Sequence, residues 1–312
     1  VSDLPARIVL LGPQRERYDA GAVVAGLGAP GPVALVTAGW QEWEEDDARV
    51  RAALGPAARN LRLWARAERV WRNDPELAAG HHALQDAVRL LRRAYNVRLA
   101  RAMDAWIELQ ALAGDPAVLD PEREAALETV RALDRHHADR LRGLREAFYR
   151  RYDPLMRVAV GREREDIRRA LEPAGVVVIE GGHVPALLNR LRLFGVDGLL
   201  GGKTVVACSG GAMALAERVV LFHDSPPWGP GHAEVGEVGL GLVQGVVALP
   251  HASERLRLDD AGRVSRFARR FEPDACVLLD AGVRLEWAGG WRSPEVQRLA
   301  ASGRVEPWRT AA

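Results

Sequence analysis

The stretch Thr204-Val205-Val206-Ala207-Cys208-Ser209-Gly210-Gly211-Ala212-Met213 constrains this chain more than any other. A β-branched run stops at small residues, and a helix-forming run over 212–220 begins at once. That is how a strand, a tight turn and a helix read in sequence. A nucleophile on such a turn sits on strained backbone, and small neighbours let the chain bend around it. Centred on Ser209, the pattern is small-x-Ser-x-Gly, with Ala207 before and Gly211 after. Centred on Cys208, it puts branched Val206 where the turn needs a small residue. Ser209 is therefore the better nucleophile, with a Cys208 thiol enzyme as an alternative.

The 312 residues suffice for one large or two modest domains. Apolar residues make up 48% and charged residues 27%, an ordinary soluble balance. A net charge of +1 gives no pull toward nucleic acid or a membrane surface. Lys203 is the single lysine, which reads as codon bias rather than phosphate recognition. Cys208 and Cys276 form neither a disulfide framework nor a metal spacing, and a reducing cytoplasm fits them. No apolar run reaches membrane-spanning length, and residues 1–5 do not read as a signal peptide.

Runs 6–11 and 33–37 predict buried strands, 44–54 a helix and 61–65 a third strand. Such alternation indicates a parallel sheet with helices on its faces. The texture then changes. Leu77, Leu84, Val88, Leu91, Tyr95, Leu99, Trp106 and Leu109 recur at helical spacing and predict one amphipathic helix over 76–113. Asp120-Pro121 reads as a cap followed by Pro at the first helical position of a second helix, ended by Asp153-Pro154. Each helix would be roughly 50 Å long. Together they predict an antiparallel hairpin over 71–154, inserted into an α/β domain made of 1–70 and 155–312. Its apolar stripe must be buried against the partner helix, the sheet domain or a second subunit. The pairs His81-His82 and His136-His137 could meet carboxylates inside a bundle, but adjacent helical residues point about 100° apart, so a pair does not converge on one ion and structural or surface histidines are expected. No metal and no cofactor is expected.

The α/β pattern resumes with the strand 176–179, the turn Glu180-Gly181-Gly182-His183 and a helix over 186–194. After the elbow, the loop 221–232 is dense in breakers, as loops lining active sites often are. The strand 246–249 ends at Pro250-His251, and the strands 275–279 and 283–287 meet at Asp280-Ala281-Gly282, a hairpin turn. Ser209, Gly182 and His251 thus follow three strands, and in open parallel sheets the carboxyl ends share one edge. A serine hydroxyl needs an imidazole to take its proton and a carboxylate to orient that imidazole. His251 is the candidate base. Asp224 is the candidate orienter, with Glu234 and Glu237 as weaker options. The backbone N–H groups of Gly182 and Gly210 are candidates for an oxyanion hole.

Glu180-Gly181-Gly182-His183, Leu187-Leu188, Ala207 to Met213, Gly239-Leu240-Gly241-Leu242 and Pro250-His251, taken together, resemble the dipeptidase E and cyanophycinase family. Those are serine peptidases on the flavodoxin-like, class I glutamine amidotransferase-like fold, a three-layer sandwich with a mostly parallel sheet. The resemblance implies Ser209 as nucleophile, His251 as base, Asp224 as acid, and Gly182 and Gly210 as oxyanion hole. It covers 175–290 well, 5–65 less closely, and not 70–165. His183 stands where the family keeps Asn, at a substrate or turn contact, and Ala207 where it keeps Gly. The segment after His251 does not reproduce that of the aspartyl dipeptidases, so specificity for N-terminal aspartate does not transfer. The reading is a cytoplasmic serine hydrolase cleaving a small peptide or related amide. The alternative is a non-catalytic binding or assembly module, such as a homodimer, using the hairpin as its interface.

Overall fold

A computed structural model describes residues 4–224, 231–292 and 296–309. Among these the strands form three sheets. The largest has the order β11 (Trp291–Arg292), β10 (Arg284–Trp287), β1 (Arg7–Leu11), β5 (Thr204–Cys208), β4 (Val176–Ile179), β2 (Val33–Val36), β3 (Arg59–Asn60). From β1 to β3 the neighbours pair in parallel, and β10 and β11 add an antiparallel edge. The apolar runs are continuous because both faces are covered. Ile8, Leu10, Val177, Ile179, Val205 and Ala207 share one core with residues of α3 (Leu63–Asn73), α6 (Val158–Leu171), α7 (Val184–Leu193) and α8 (Gly210–Leu215). The alternate residues, among them Val9, Val178, Val206 and Cys208, pack with α1 (Ala20–Gly26) and α2 (Ala48–Leu54). The fold is mixed α/β, with a mostly parallel central sheet.

A four-stranded sheet orders β13 (Val305–Pro307), β12 (Gln297–Leu299), β9 (Ala275–Leu279) and β8 (Val246–Pro250), with β8 and β9 parallel. It carries α9 (Ala252–Arg255) and α10 (Ala261–Phe271). A two-stranded sheet pairs β6 (Arg218–Leu221) with β7 (Glu234–Val238).

The long helices are α4 (Pro75–Ala111) and α5 (Pro116–Tyr152). Asp74 Oδ1 accepts from Leu77 N at 3.0 Å, and Pro75 takes the first position, where a missing N–H costs nothing. The root of the hairpin, Leu77, Leu84 and Phe148, belongs to the core of the large sheet. Farther out, Tyr95, Leu99, Trp106, Leu127 and Val130 pack with Val235, Val247 and Phe271 from the smaller sheets and α10. The apolar stripe is thus used within the chain, and each large side chain fully buried there contributes about 1.5–3 kcal/mol. Among the described residues no helix is long and apolar enough to cross a membrane.

Four local expectations are corrected. The second long helix starts at Asp115-Pro116, where Asp115 Oδ1 accepts from Ala117 N at 2.9 Å, and Pro121 lies inside it. Residues 63–65 open a helix, because the buried Glu44 carboxylate accepts from Trp64 N and Ala65 N at 2.9 Å and so caps α3. The helix after the elbow stops at Leu215, and the β-branched Val219-Val220 pair with β7 instead. The strands flanking Asp280-Ala281-Gly282 do not pair with each other: β9 pairs with β8 and β12, and β10 with β1 and β11.

Candidate active site

Ser209 follows β5 with φ 51 and ψ −116, and α8 starts at the next residue. A side chain at such angles is strained at a cost of order 1–3 kcal/mol, and surroundings must impose it. Here Ser209 N donates to Leu11 O at 2.8 Å. Glycine makes the room. A Cβ on Gly181 would lie 2.8 Å from Gly210 N and 3.2 Å from Ser209 Cβ. One on Gly211 would collide with Ile179 O. The Ala207 methyl is fully buried within the large core. Ser209 is half-buried, and its hydroxyl has no hydrogen-bond partner among the described residues.

Beside it lies the turn after β4. Gly182 is exposed with φ +100, and neither its N–H nor that of Gly210 donates to a protein acceptor among the described residues. His183 caps α7: its Nδ1 accepts from Ala186 N at 3.2 Å. An N–H only donates, so the His183 proton sits on Nε2, and burial lowers the pKa of the ring. Half of this imidazole therefore serves the fold, and the Nε2–H is the half left for a ligand.

His251 follows β8, in a different sheet from Ser209. The chain after β1 joins the two. Leu11 O holds Ser209 N, and a Cβ on Gly12 would collide with Asp280 O. Asp280 in turn takes hydrogen bonds from Ser253 N at 3.1 Å and Ser253 Oγ at 2.6 Å, two residues past His251. This chain of contacts, from Ser209 through Leu11, Gly12 and Asp280 to Ser253, links the segments that follow β5 and β8. His251 is buried, in a left-handed conformation (φ 59, ψ 33). Its Nδ1 lies 3.1 Å from Glu254 Oε2. A carboxylate only accepts, so Nδ1 holds the proton and Nε2 keeps the lone pair a base needs. Among the described residues no hydrogen bond joins His251 to Ser209.

The structure does not bring the expected acids to His251. Both oxygens of the buried Asp224 carboxylate are held by Arg263, and Oδ2 also accepts from Arg257 N at 3.0 Å. Glu234 pairs with Arg92 at 2.9 Å, and Glu237 with Arg145. Asp224 does pin the segment after His251, since its own N donates to Arg255 O at 2.8 Å. The i, i+3 spacing of His251 and Glu254 on a short helix was the signal for the acid actually beside the ring. Residues 225–230 of the breaker-rich loop lie outside the described residues.

Cys208 is fully buried under the elbow. Burial first, then the neighbouring Glu180 charge, push its thiol well above the ordinary range. Glu180 accepts from Tyr18 Oη at 2.6 Å and from this thiol. A thiolate is thus disfavoured at Cys208, which weighs against the thiol alternative. In the native protein at pH 8, iodoacetamide is expected to leave Cys208 unmodified for hours, by intact mass. The thiol should react once urea unfolds the chain. Fast native alkylation at Cys208 would reinstate the thiol. One histidine of each pair stacks on an aromatic ring: His81 on Trp71 at 4.7 Å, and His137 on Tyr95 at 4.0 Å.

No family model matches the chain, and no curated protein matches it. The crystal structure of a peptidase from an acI-B1 Actinobacterium is similar to it over 98% of both chains, at 13% identity and a TM-score of 0.42. Any functional reading therefore rests on the residues themselves.

Proposed function

We propose that this chain is a serine hydrolase of the class I glutamine amidotransferase-like fold, cleaving the amide of a small peptide through an acyl-enzyme on Ser209. The hairpin is then an insertion into an α/β domain of residues 1–70 and 155–312. The observation carrying the reading is the strained turn at Ser209, φ 51 and ψ −116, beside a glycine turn with an undonated N–H.

In this mechanism the Ser209 oxygen attacks the amide carbon, and its proton passes to His251 Nε2. The carbonyl oxygen becomes an oxyanion, held by Gly182 N–H and Gly210 N–H. Collapse breaks the carbon–nitrogen bond, and His251 returns its proton to the leaving amine. Water then attacks the ester, using the same base. Glu254 holds the imidazole in the useful tautomer. Its side chain is 74% exposed, so it orients less firmly than a buried aspartate.

The test is covalent labelling. An alkyl fluorophosphonate should add one phosphonyl group per chain, found on Ser209 by peptide mapping. A chain that neither labels nor hydrolyses any member of a dipeptide and isopeptide panel is not this enzyme.

The pH profile follows from His251. Burial, and then the Arg255 cation, lower its pKa, and Glu254 partly offsets them. A lowered value keeps the ring neutral, hence basic, down through pH 6.5. The labelling rate should be flat above pH 7 and fall only on an acid limb centred below about 6.5. Glu254→Gln should move that limb further toward acid. A limb centred above pH 7 contradicts the assignment of His251.

A further inference from the structure

The loop after β2 is built more heavily than a connection requires. Residues 38–43 form a 3-10 turn interrupted at Gln41, whose φ is 60 and ψ −125. Five described non-glycine residues have positive φ. Arg62, Asp153 and His251 have positive ψ, in the ordinary left-handed region. Only Gln41 and Ser209 combine positive φ with ψ near −120, the angles that a type II′ turn reserves for glycine. Among the described residues a side chain thus sits on glycine-type backbone twice, in the segments that follow β2 and β5.

Much buried polar structure holds Gln41 there, as strained backbone requires. Trp40 N donates to Thr37 O at 2.8 Å, and Glu44 N to Gln41 O at 3.0 Å. The buried Thr37 hydroxyl donates to Glu44 O at 3.0 Å. Asn60 Nδ2 reaches Thr37 Oγ1, Glu44 O and Asp47 Oδ2, at 2.8, 3.2 and 2.9 Å. The same loop locks onto the glycine turn. His183 N donates to Gly39 O at 2.7 Å, and a Cβ on Gly182 would lie 3.1 Å from Trp40 Cδ1. Gly39, Gly182 and Ser209 therefore follow three adjacent strands, β2, β4 and β5, joined edge to edge.

The Gln41 amide has been given no work inside the fold. Gln41 is half-buried, and its side chain has no hydrogen-bond partner among the described residues. Two residues on, Trp43 is 69% exposed. A primary amide offers one donor and one acceptor face, the complement of a peptide group.

We propose that Gln41 is a substrate-binding residue, whose amide pairs with a peptide group flanking the scissile bond, so that the site selects peptides over simple amides and esters. This rests on the Ser209 reading.

Two probes separate the two. An alkyl fluorophosphonate has no peptide group, and an alanyl-alanyl diphenyl phosphonate has one. Labelling rates at Ser209 are compared for the unaltered chain, Gln41→Ala and Gln41→Gly. The glycine variant suits the backbone, should melt no lower than the unaltered chain, and keeps the test alive if the alanine variant misfolds. Both variants should slow the dipeptidyl probe about tenfold, as loss of a hydrogen bond implies, and leave the fluorophosphonate within twofold. Equal slowing of both probes makes Gln41 structural and overturns the proposal, as does slowing of neither. An unaltered chain that reacts with the fluorophosphonate but not the dipeptidyl probe overturns the proposal alone. One that reacts with neither overturns the Ser209 reading and this proposal with it.

Discussion

Ser209→Ala is expected to abolish fluorophosphonate labelling and to lower amide hydrolysis on the order of 10⁶-fold, as loss of an activated serine does. The size of the effect follows from the division of labour. Without the hydroxyl no acyl-enzyme forms, and His251 has no proton to move. Only the oxyanion donors and substrate binding would be left. Ser209→Gly should lose the same activity and gain stability, because glycine takes φ 51 without strain. About 1 kcal/mol is expected from that relief, read as a higher urea midpoint with unchanged slope. Activity within tenfold of the original in either variant would remove Ser209 from the chemistry.

The largest stability loss should come from the joint between the hairpin and the smaller sheets. Arg270 of α10 donates to both oxygens of Asp134 in α5 at 2.7 Å, and both side chains are almost wholly buried. Tyr95 of α4 donates to Asp134 at 2.7 Å and accepts from Val235 N at 3.1 Å, while Arg270 reaches Ala233 O at 2.6 Å. Taking away one charge leaves the other desolvated and uncompensated. Arg270→Met is therefore expected to cost about 3–5 kcal/mol. The double variant Arg270→Met, Asp134→Leu should regain a large part of that, because no lone ion is left inside. Chemical unfolding of the three proteins measures it. A single variant costing under about 1 kcal/mol, or a double variant worse than the single, would mean that the pair is not what holds this joint.

The features legible in the sequence were those whose cause is local. The β-branched run into Ser209, the glycines after Glu180 and the heptad-like spacing of Leu77 to Leu109 each carry their own signal. The features missed have causes far along the chain. Leu63 opens a helix because Glu44, nineteen positions earlier, supplies its cap. Asp224 stands at a plausible separation from Ser209 along the sequence, yet Arg263 takes its carboxylate. Asp115-Pro116 and Asp120-Pro121 are the same two residues in the same order, and nothing local says which starts α5. The turn at 280–282 is real as a turn, but whether its flanking strands pair depends on β1 and β8. Nothing in the letters around Gln41 announces its backbone angles.

The large sheet also sets an order of assembly. The hairpin joins neighbours in sequence and can form early, from local contacts alone. Strand β1 lies between β5 and β10, both encoded far downstream, and cannot be enclosed until they arrive. Until then its apolar row has an open flank on either side, the kind of edge on which unfinished chains stick to one another. Refolding yield should therefore be governed by how long that first strand waits for its partners.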